Sequence, residues 1–488
     1  MSLPPSEAPF ARLSPRPDTR LVLALAAFAA FALGQAVQVA NGNLHPQAIG
    51  WLTAALVALL VATLSPTAVK LEGVLGWAVP VALVVALGFQ FSQLMVTPPG
   101  MYVRYTPGWH LPYMRALAFA AVTAGALILP AGRSRHLLIA GLLLSHLALG
   151  SWLIHAAPTP VIDVFVFQRD SAQALLQGTN PYAITFPNIY GHGAFYGPGL
   201  VVNGRLAFGY PYPPLSLLFS TLSQALGGDV RYAQLVAMTA TGGLLAYLRP
   251  GRFGALAAAL YLFTPRSLFV LEQSWTEPFV VLFLAATVFC AVRCPRALPY
   301  ALGAFLAVKQ YAVLAVPVSL LLLGAQARLR DLVSFWGRAA AVTAALVLPL
   351  ALWDPPAFWH SVVALQFFQP FRADALTYLG WFAGPGGAAP SGAALAFVGA
   401  LVAAALALWR APRSPAGFAL GTSLVFILFF ALNKQAFCNY YFFVIGACCT
   451  VIAALQLEPE AGTTGDRAQP EPSRSVSLPG PEVDPHAV

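Results

Sequence analysis

Apolar runs of about 20 residues, the length that carries an α-helix across a hydrocarbon core, recur along almost the whole of this chain. No other feature restricts the fold as strongly. Inside lipid each backbone N–H and C=O must find a partner within the structure, so only helices and closed barrels can span it. Runs of this length exceed the roughly 10 residues of a barrel strand and are helical. Only 9% of the 488 residues are charged, against about 25% in soluble domains, too few to clothe a soluble core of this size. The expected fold class is all-α: a polytopic membrane bundle of about 12–14 segments, with one long extracytoplasmic loop carrying a short surface helix.

The formal net charge of +9 would favour a nucleic-acid partner if it were gathered on one face. It is dispersed instead. Arg133 and Arg135, Arg249 and Arg252, Arg293 and Arg296, Arg328 and Arg330, and Arg410 and Arg413 sit in short turns between apolar runs. That is how positive cytoplasmic loops are built, and no nucleic-acid partner is expected. Cys290, Cys294, Cys438, Cys448 and Cys449 form no CxxC pair and mostly lie in apolar runs, which fits small buried membrane residues.

The segment 1–20, with Arg12, Arg16 and Arg20, reads as cytoplasmic. Runs at 21–40, 48–64, 73–96, 115–131 and 137–157 then make an N-terminal five-span bundle, 21–157. The first run could pass for a signal peptide, but more spans follow without a small-residue cleavage site, so it is read as a retained helix. With Arg20 inside, Lys70 and the Arg133/Arg135 turn also fall inside and the segment 158–211 falls outside. Residues 162–177 of that segment contain no breaker and suit a short helix at the membrane surface, stopped by Gly178 and the Asn180-Pro181 turn.

A C-terminal bundle, 212–456, holds runs at 212–227, 231–248, 253–271, 277–292, 297–323, 334–352, 392–409, 416–432 and 440–456. If the first two both crossed, the Arg249–Arg252 turn would lie on the wrong side for its charge. Tyr212 to Leu248 is therefore expected to make one net crossing. The run 297–323 is overlong for one helix and is expected to break at Lys309-Gln310. The residues 457–488, rich in Glu, Pro, Ser and Gly, have the composition of a disordered cytoplasmic tail.

A charge at the centre of a span costs about 2.5–3.5 kcal/mol, so charges inside apolar runs need a partner, a cavity or a helix end. Lys309, Lys434, Glu272, Glu277 and Arg266 are such residues, and the expected topology gathers them at the outer face beside Asp163. Snorkelling from a helix end is the alternative for each lysine, and a structural pair with Arg266 or a helix-start carboxylate near Pro278 the alternative for Glu277. Asp163 and Asp170 are seven residues apart and share a helix face. A carboxylate there suits a general base acting on a membrane-embedded substrate. The alternatives are a helix-start carboxylate for Asp163 and a solvated pair with Arg169 for Asp170. His146 and His155 read as packed residues, and His192 and His360 are open. The stretches Tyr210–Tyr212 and Phe358–Trp359 read as interfacial belts, with a sugar-stacking platform as the alternative.

An outward Asp after a span, then Ala-Leu-Leu-Gln-Gly-Thr-Asn-Pro-Tyr (174–182) and Tyr-Pro-Tyr-Pro-Pro-Leu (210–215), resembles the GT-C glycosyltransferases. The likeness is to the bacterial polyprenyl-phosphate-mannose-dependent alpha-mannosyltransferases and their relatives, and it covers about 150–455. Gln273-Ser274-Trp275-Thr276-Glu277-Pro278, Lys309-Gln310, and Asn433-Lys434-Gln435 with Tyr440-Tyr441 fit the same picture. The resemblance implies a hexosyltransferase of the bacterial cytoplasmic membrane that uses a polyprenyl-phosphate sugar and a lipid or glycan acceptor on the extracytoplasmic face.

On that resemblance Asp163 is the general base, Glu277 orients the acceptor or the base, and Lys309, Lys434 and Arg266 hold the leaving phosphate. Asp170, Gln310, Gln435, Tyr182 and Trp275 complete the expected substrate-binding set. No cofactor and no metal are expected, since no Asp-x-Asp stands in the loop. One departure is that the loop follows the fifth span rather than the first. A transporter or lipid flippase, using intramembrane charges and broken helices as a path, is the principal alternative. A glycan polymerase or ligase and a non-catalytic scaffold are the others. The Ala-, Leu- and Pro-rich, Lys-poor usage matches a GC-rich bacterial genome.

Overall fold

A computed structural model of the chain describes residues 19–65, 75–129, 132, 134–191, 195–384, 387 and 393–455. Residues 1–18, Lys70, Arg133, His192 and the tail 457–488 lie outside the described residues. The fold is dominated by helices, as its apolar runs require. Among the described residues five helices are long and apolar enough to cross a membrane by length and composition, at Thr19–Val39, Pro46–Leu64, Val79–Val96, Ser134–Ala156 and Leu329–Ala351. They mark the chain as a membrane protein.

The first helices are α1 (Thr19–Val39), α2 (Pro46–Leu64), α3 (Leu75–Val96), α4 (His110–Ala126) and α5 (Ser134–Ala156). Their ends follow local chemistry. The His45 ring accepts the Gln47 N–H ahead of α2, and Pro46 occupies its first turn, where the missing N–H costs nothing. After α5 the chain enters α6 (Asp163–Leu176), which stops at Gly178, whose φ of +71° a side chain would strain. The Asn180 carboxamide then accepts the Tyr182 N–H and turns the chain.

The rest of the loop folds onto α6. Three two-residue strands, β1 (Phe186–Pro187), β2 (Val201–Val202) and β3 (Arg205–Leu206), pair antiparallel in the order β1-β3-β2. This is a small β element in an otherwise helical chain. Phe165, Phe167, Phe186, Leu206, Phe208 and Tyr210 pack into one core with Leu217, Val362 and Leu365 from later in the chain. Tyr210, expected in an interfacial belt, is fully buried there. The polar residues of the segment hid this core because its apolar positions are dispersed through turns and strands with no helical period.

Two helices follow, α7 (Pro214–Gly227) and α8 (Arg231–Leu248). Arg231 at the start of α8 donates to the carbonyls of Ile154 and Ala157, at the end of α5. Tyr247, near the end of α8, stacks on His136 at the start of α5. The two helices are thus antiparallel, and the Arg249–Arg252 turn lies at the same end of the bundle as Arg135. The chain changes ends once between Tyr212 and Leu248, in α8. The 14 residues of α7 reach about 21 Å at 1.5 Å each, short of the roughly 30 Å hydrocarbon core.

The run expected as one span at 253–271 is broken into α9 (Arg252–Leu262) and α10 (Ser267–Glu272). Pro265 lacks an N–H and pushes Thr264 away from helical geometry, and Arg266 takes a left-handed φ of +68°. After α11 (Glu277–Arg293) and α12 (Leu298–Leu306), Lys309 is extended (φ −153°, ψ 143°), which is the break expected at Lys309-Gln310. Beyond it the chain forms two 3-10 segments, Gln310–Ala315 and Pro317–Leu322, joined through Val316 in helical geometry (φ −55°, ψ −48°); Pro317, with no N–H to donate, separates them.

Next come α13 (Leu329–Ala351) and a strap in which α14 (Pro355–Phe358) passes through a π-helical turn, Trp359–Ala364, into α15 (Leu365–Phe368). The last helices are α16 (Tyr378–Ala383), α17 (Ala393–Arg410), α18 (Pro415–Ala431) and α19 (Cys438–Ala454). Helix α1 packs on α19 and α5 on α8, so the first helices share a core with the last. Cys438, Cys448 and Cys449 are buried in α19.

Candidate functional site

Asp163 opens α6. Its Oδ1 accepts the Val164 N–H at 2.7 Å, its Oδ2 accepts the Tyr196 hydroxyl at 2.9 Å, and its own N–H donates to the Tyr190 hydroxyl at 3.2 Å. The side chain is closely surrounded yet keeps partial access to solvent. Burial raises its pKa above the ordinary carboxylate value, against the bonds from Tyr196, Val164 and Tyr190 and the charge of Arg372, which favour the anion.

Helix α6 is held along its first half. Arg231 forms a two-pronged pair with Asp229 and lies 5.0 Å from the ring centroid of Phe165. Further along, the buried Gln168 accepts from Ser220 (2.7 Å) and Gln234 (2.9 Å) and donates to the Ser274 carbonyl. That polar knot ties α6, α7 and α8 to the turn just before Glu277.

Glu277, at the start of α11, is fully buried. Its Oε1 accepts from the Lys309 ammonium at 2.9 Å and from the Tyr311 hydroxyl at 3.3 Å, while Lys309 also donates to Thr276 at 2.6 Å. The Lys309 nitrogen stands 4.1 Å from the Tyr212 ring centroid. Glu277 Oε2 has no hydrogen-bond partner among the described residues. The charges of Asp163 and Glu277 both reach the hydroxyls of Tyr212 and Tyr440. The two carboxylates therefore belong to one neighbourhood, with tyrosines common to both.

The other expected residues take varied places. Arg266 is not the partner of Glu277: it donates to the Pro98 carbonyl at 3.2 Å, lies over Phe269, and senses Glu272 and Cys438. Glu272 accepts the N–H groups of Met101 and Tyr102, both at 2.7 Å, and pins the 97–109 loop. Gly100 passes so close to that carboxylate that a Cβ would overlap it. Lys434 donates to the carbonyls of Gln366, Phe367 and Gln369, the free C-terminal acceptors of the strap.

Gln310 likewise donates to the carbonyls of Pro211 and Val362. Gln435 and Trp275 are partly exposed, Trp275 meeting Phe269 edge-on. Tyr182 is buried and reaches the neighbourhood only through its hydroxyl on the Tyr212 carbonyl, 3.0 Å away. Asp170 pairs with Arg169 at 2.8 Å, both partly exposed. His146 is buried against Thr239, and His360 meets the Ala207 carbonyl.

Tyr212, Tyr440 and Thr276 stand in the quoted motifs without a role of their own, and Tyr190, Tyr196 and above all Arg372 were not foreseen. The Arg372 guanidinium lies 4.6 Å from the Phe195 centroid and 5.0 Å from that of Phe437, pairs with Asp374, and acts on Asp163 electrostatically. A signal existed. Arg372 is the sole Arg or Lys between Arg338 and Arg410, an isolated cation where the charge pattern expects none. Among the described residues no three His, Cys, Asp or Glu side chains come together as a metal would need. In comparisons with protein-family models, curated proteins and solved structures, no match to this chain was found.

Proposed function

We propose that the chain is a multi-pass glycosyltransferase of the GT-C type, moving a hexose, mannose in the first instance, from a polyprenyl-phosphate donor to a lipid or glycan acceptor. One observation carries the reading. Asp163 is a carboxylate at a helix start, held by Tyr190 and Tyr196 and only partly buried as a residue, in the same neighbourhood as the buried Glu277–Lys309 couple. A general base needs that combination of fixed aim and access.

In this reaction Asp163 takes the proton of the acceptor hydroxyl. The acceptor oxygen attacks the anomeric carbon from the face opposite the phosphate. The bond from that carbon to the phosphate oxygen breaks, and polyprenyl phosphate leaves with the electron pair, so configuration inverts. The departing phosphate needs positive charge more than a proton. Lys434 and Gln310 spend their N–H groups on main-chain carbonyls, and Lys309 is buried against Glu277. Arg372 is better placed to meet the phosphate, because its charge already acts on Asp163 and its partner Asp374 is exposed.

The active site faces the extracytoplasmic side of a bacterial cytoplasmic membrane in this reading, since the Arg249–Arg252 and Arg410–Arg413 turns lie at the other end. The test is transfer of radiolabelled sugar from polyprenyl-phosphate-mannose by purified protein, wild type beside Asp163→Asn. Transfer by the wild type alone supports class and base together. Equal transfer by both would remove Asp163 from the chemistry.

A lipid-glycan flippase is the second reading, favoured by the helix breaks at Pro265 and Lys309. Movement of a labelled lipid-linked sugar across proteoliposomes, without transfer, would select it.

A further inference from the structure

At the end of the bundle away from Asp163 lies a cavity of about 410 Å³. It sits where α2 and α17 end, α18 begins and α19 finishes, with Ser65, Gly417 and Leu455 in its wall. Most of the wall is apolar. The exceptions that carry charge are Arg410 and Arg413, which both line it and are both exposed. Neither forms an ion pair or a hydrogen bond with a described residue. The Arg410 guanidinium is stacked 4.1 Å from the ring centroid of Trp409, itself 69% exposed. An aromatic with a polar edge and a cation on its face is the usual furniture of a headgroup region.

The apolar flanks extend from this cavity towards the middle of the bundle. On α2, Val57 and Val61 are exposed, and on α17, Leu401 and Leu408 are exposed, while the two helices touch each other. Two cations without an ion-pair partner among the described residues thus stand beside the exposed aliphatic side chains of α2 and α17. Charge and shape together describe one occupant.

We propose that this cavity binds the phosphate headgroup of an anionic phospholipid, with Arg410 and Arg413 on the phosphate and the acyl chains laid along α2 and α17. A bare phosphate would satisfy the arginines and leave the aliphatic sides uncovered. A zwitterionic lipid would cover the sides and bring its own ammonium against the arginines. The inference is independent of the reaction at the other end of the bundle.

The experiment is a titration of the purified full-length protein, in a neutral detergent, with phosphatidylglycerol, phosphatidylcholine or inorganic phosphate, read by tryptophan fluorescence and thermal unfolding. Phosphatidylglycerol should bind and raise the unfolding temperature, with phosphatidylcholine and phosphate far weaker. Arg410→Gln with Arg413→Gln should weaken phosphatidylglycerol roughly 30-fold. Arg413→Gln alone, in an exposed turn, carries the test should the double variant not fold. Equal binding of phosphatidylcholine, a phosphate response equal to that of the lipid, or unchanged affinity in the arginine variants would each overturn the proposal.

Discussion

The Lys309 ammonium and the Glu277 carboxylate meet at 2.9 Å with side chains almost wholly buried, across 32 residues of sequence. Helix α11 starts at Glu277, and the chain breaks at Lys309 just where the ammonium must turn toward it. The pair joins two interrupted segments and fixes the floor beside Tyr212. A buried pair is poor evidence of net stability, but removing one partner strands the other's charge.

Lys309→Met and Glu277→Gln should therefore each destabilise the protein by about 3–5 kcal/mol, while the double substitution recovers much of that loss. Thermal unfolding of the three variants in detergent checks this. Additive losses would mean the two side chains are not a couple.

Asp163→Asn should lower sugar transfer by roughly 10²–10⁴ without loss of folding. The sign of its stability effect follows from the raised pKa. In the folded protein the carboxyl holds its proton to higher pH than in the unfolded chain, so stability falls as pH rises from the ordinary value to the raised one. Above that window Asn, which stays neutral, should match or exceed the wild type. A melting temperature well below wild type at neutral pH would contradict the assignment.

Tyr196→Phe removes a bond that favours the ionised carboxyl. The pKa of Asp163 should climb further. Because the base works only as the anion, the acid limb of the pH–rate profile should move to higher pH while the plateau changes less. A limb at its original position would show that Asp163 does not set it.

Arg372→Ala should raise the KM for the polyprenyl-phosphate donor more than it lowers kcat, with Arg372→Lys intermediate, since a lysine keeps charge and loses the fork. Lys434→Ala should act differently. It exposes the three carbonyls of Gln366, Phe367 and Gln369 and should lower the unfolding temperature with little effect on donor KM. Steady-state kinetics beside melting curves separate the two cations.

Gln168→Leu keeps the bulk and removes the knot around Ser274. Leaving the buried Ser220 hydroxyl without its acceptor, and Gln234 with its Ser274 bonds alone, should cost about 1–3 kcal/mol and loosen the placement of Glu277 relative to α6. Faster hydrogen exchange in the 273–277 turn is the expected reading.

Much of the helical layout is readable from runs of apolar residues, because a hydrocarbon-length stretch has few other solutions. The ends of α6, the break at Lys309 and the single change of ends between Tyr212 and Leu248 follow from Gly178, from an intramembrane charge and from the positions of arginines, all local signals. The break at Pro265 was equally local and was passed over within a run read as uniform. Arg372 stood out by its isolation, although only an argument from charge placement would have singled it out.

Partnership is another matter. That Glu277 takes Lys309 and not Arg266, that Lys434 and Gln310 close off carbonyls, and that Tyr196 reaches Asp163 depend on which helix ends are brought together. Hydrophobicity sets where a segment lies and says nothing about its neighbour around the bundle. The sequence by itself thus determined a helical membrane chain with its polar residues clustered near breaks and ends. Only the tertiary structure decided which charges are spent on one another and which remain to act, because that is a matter of distances of a few ångströms between segments far apart in the chain.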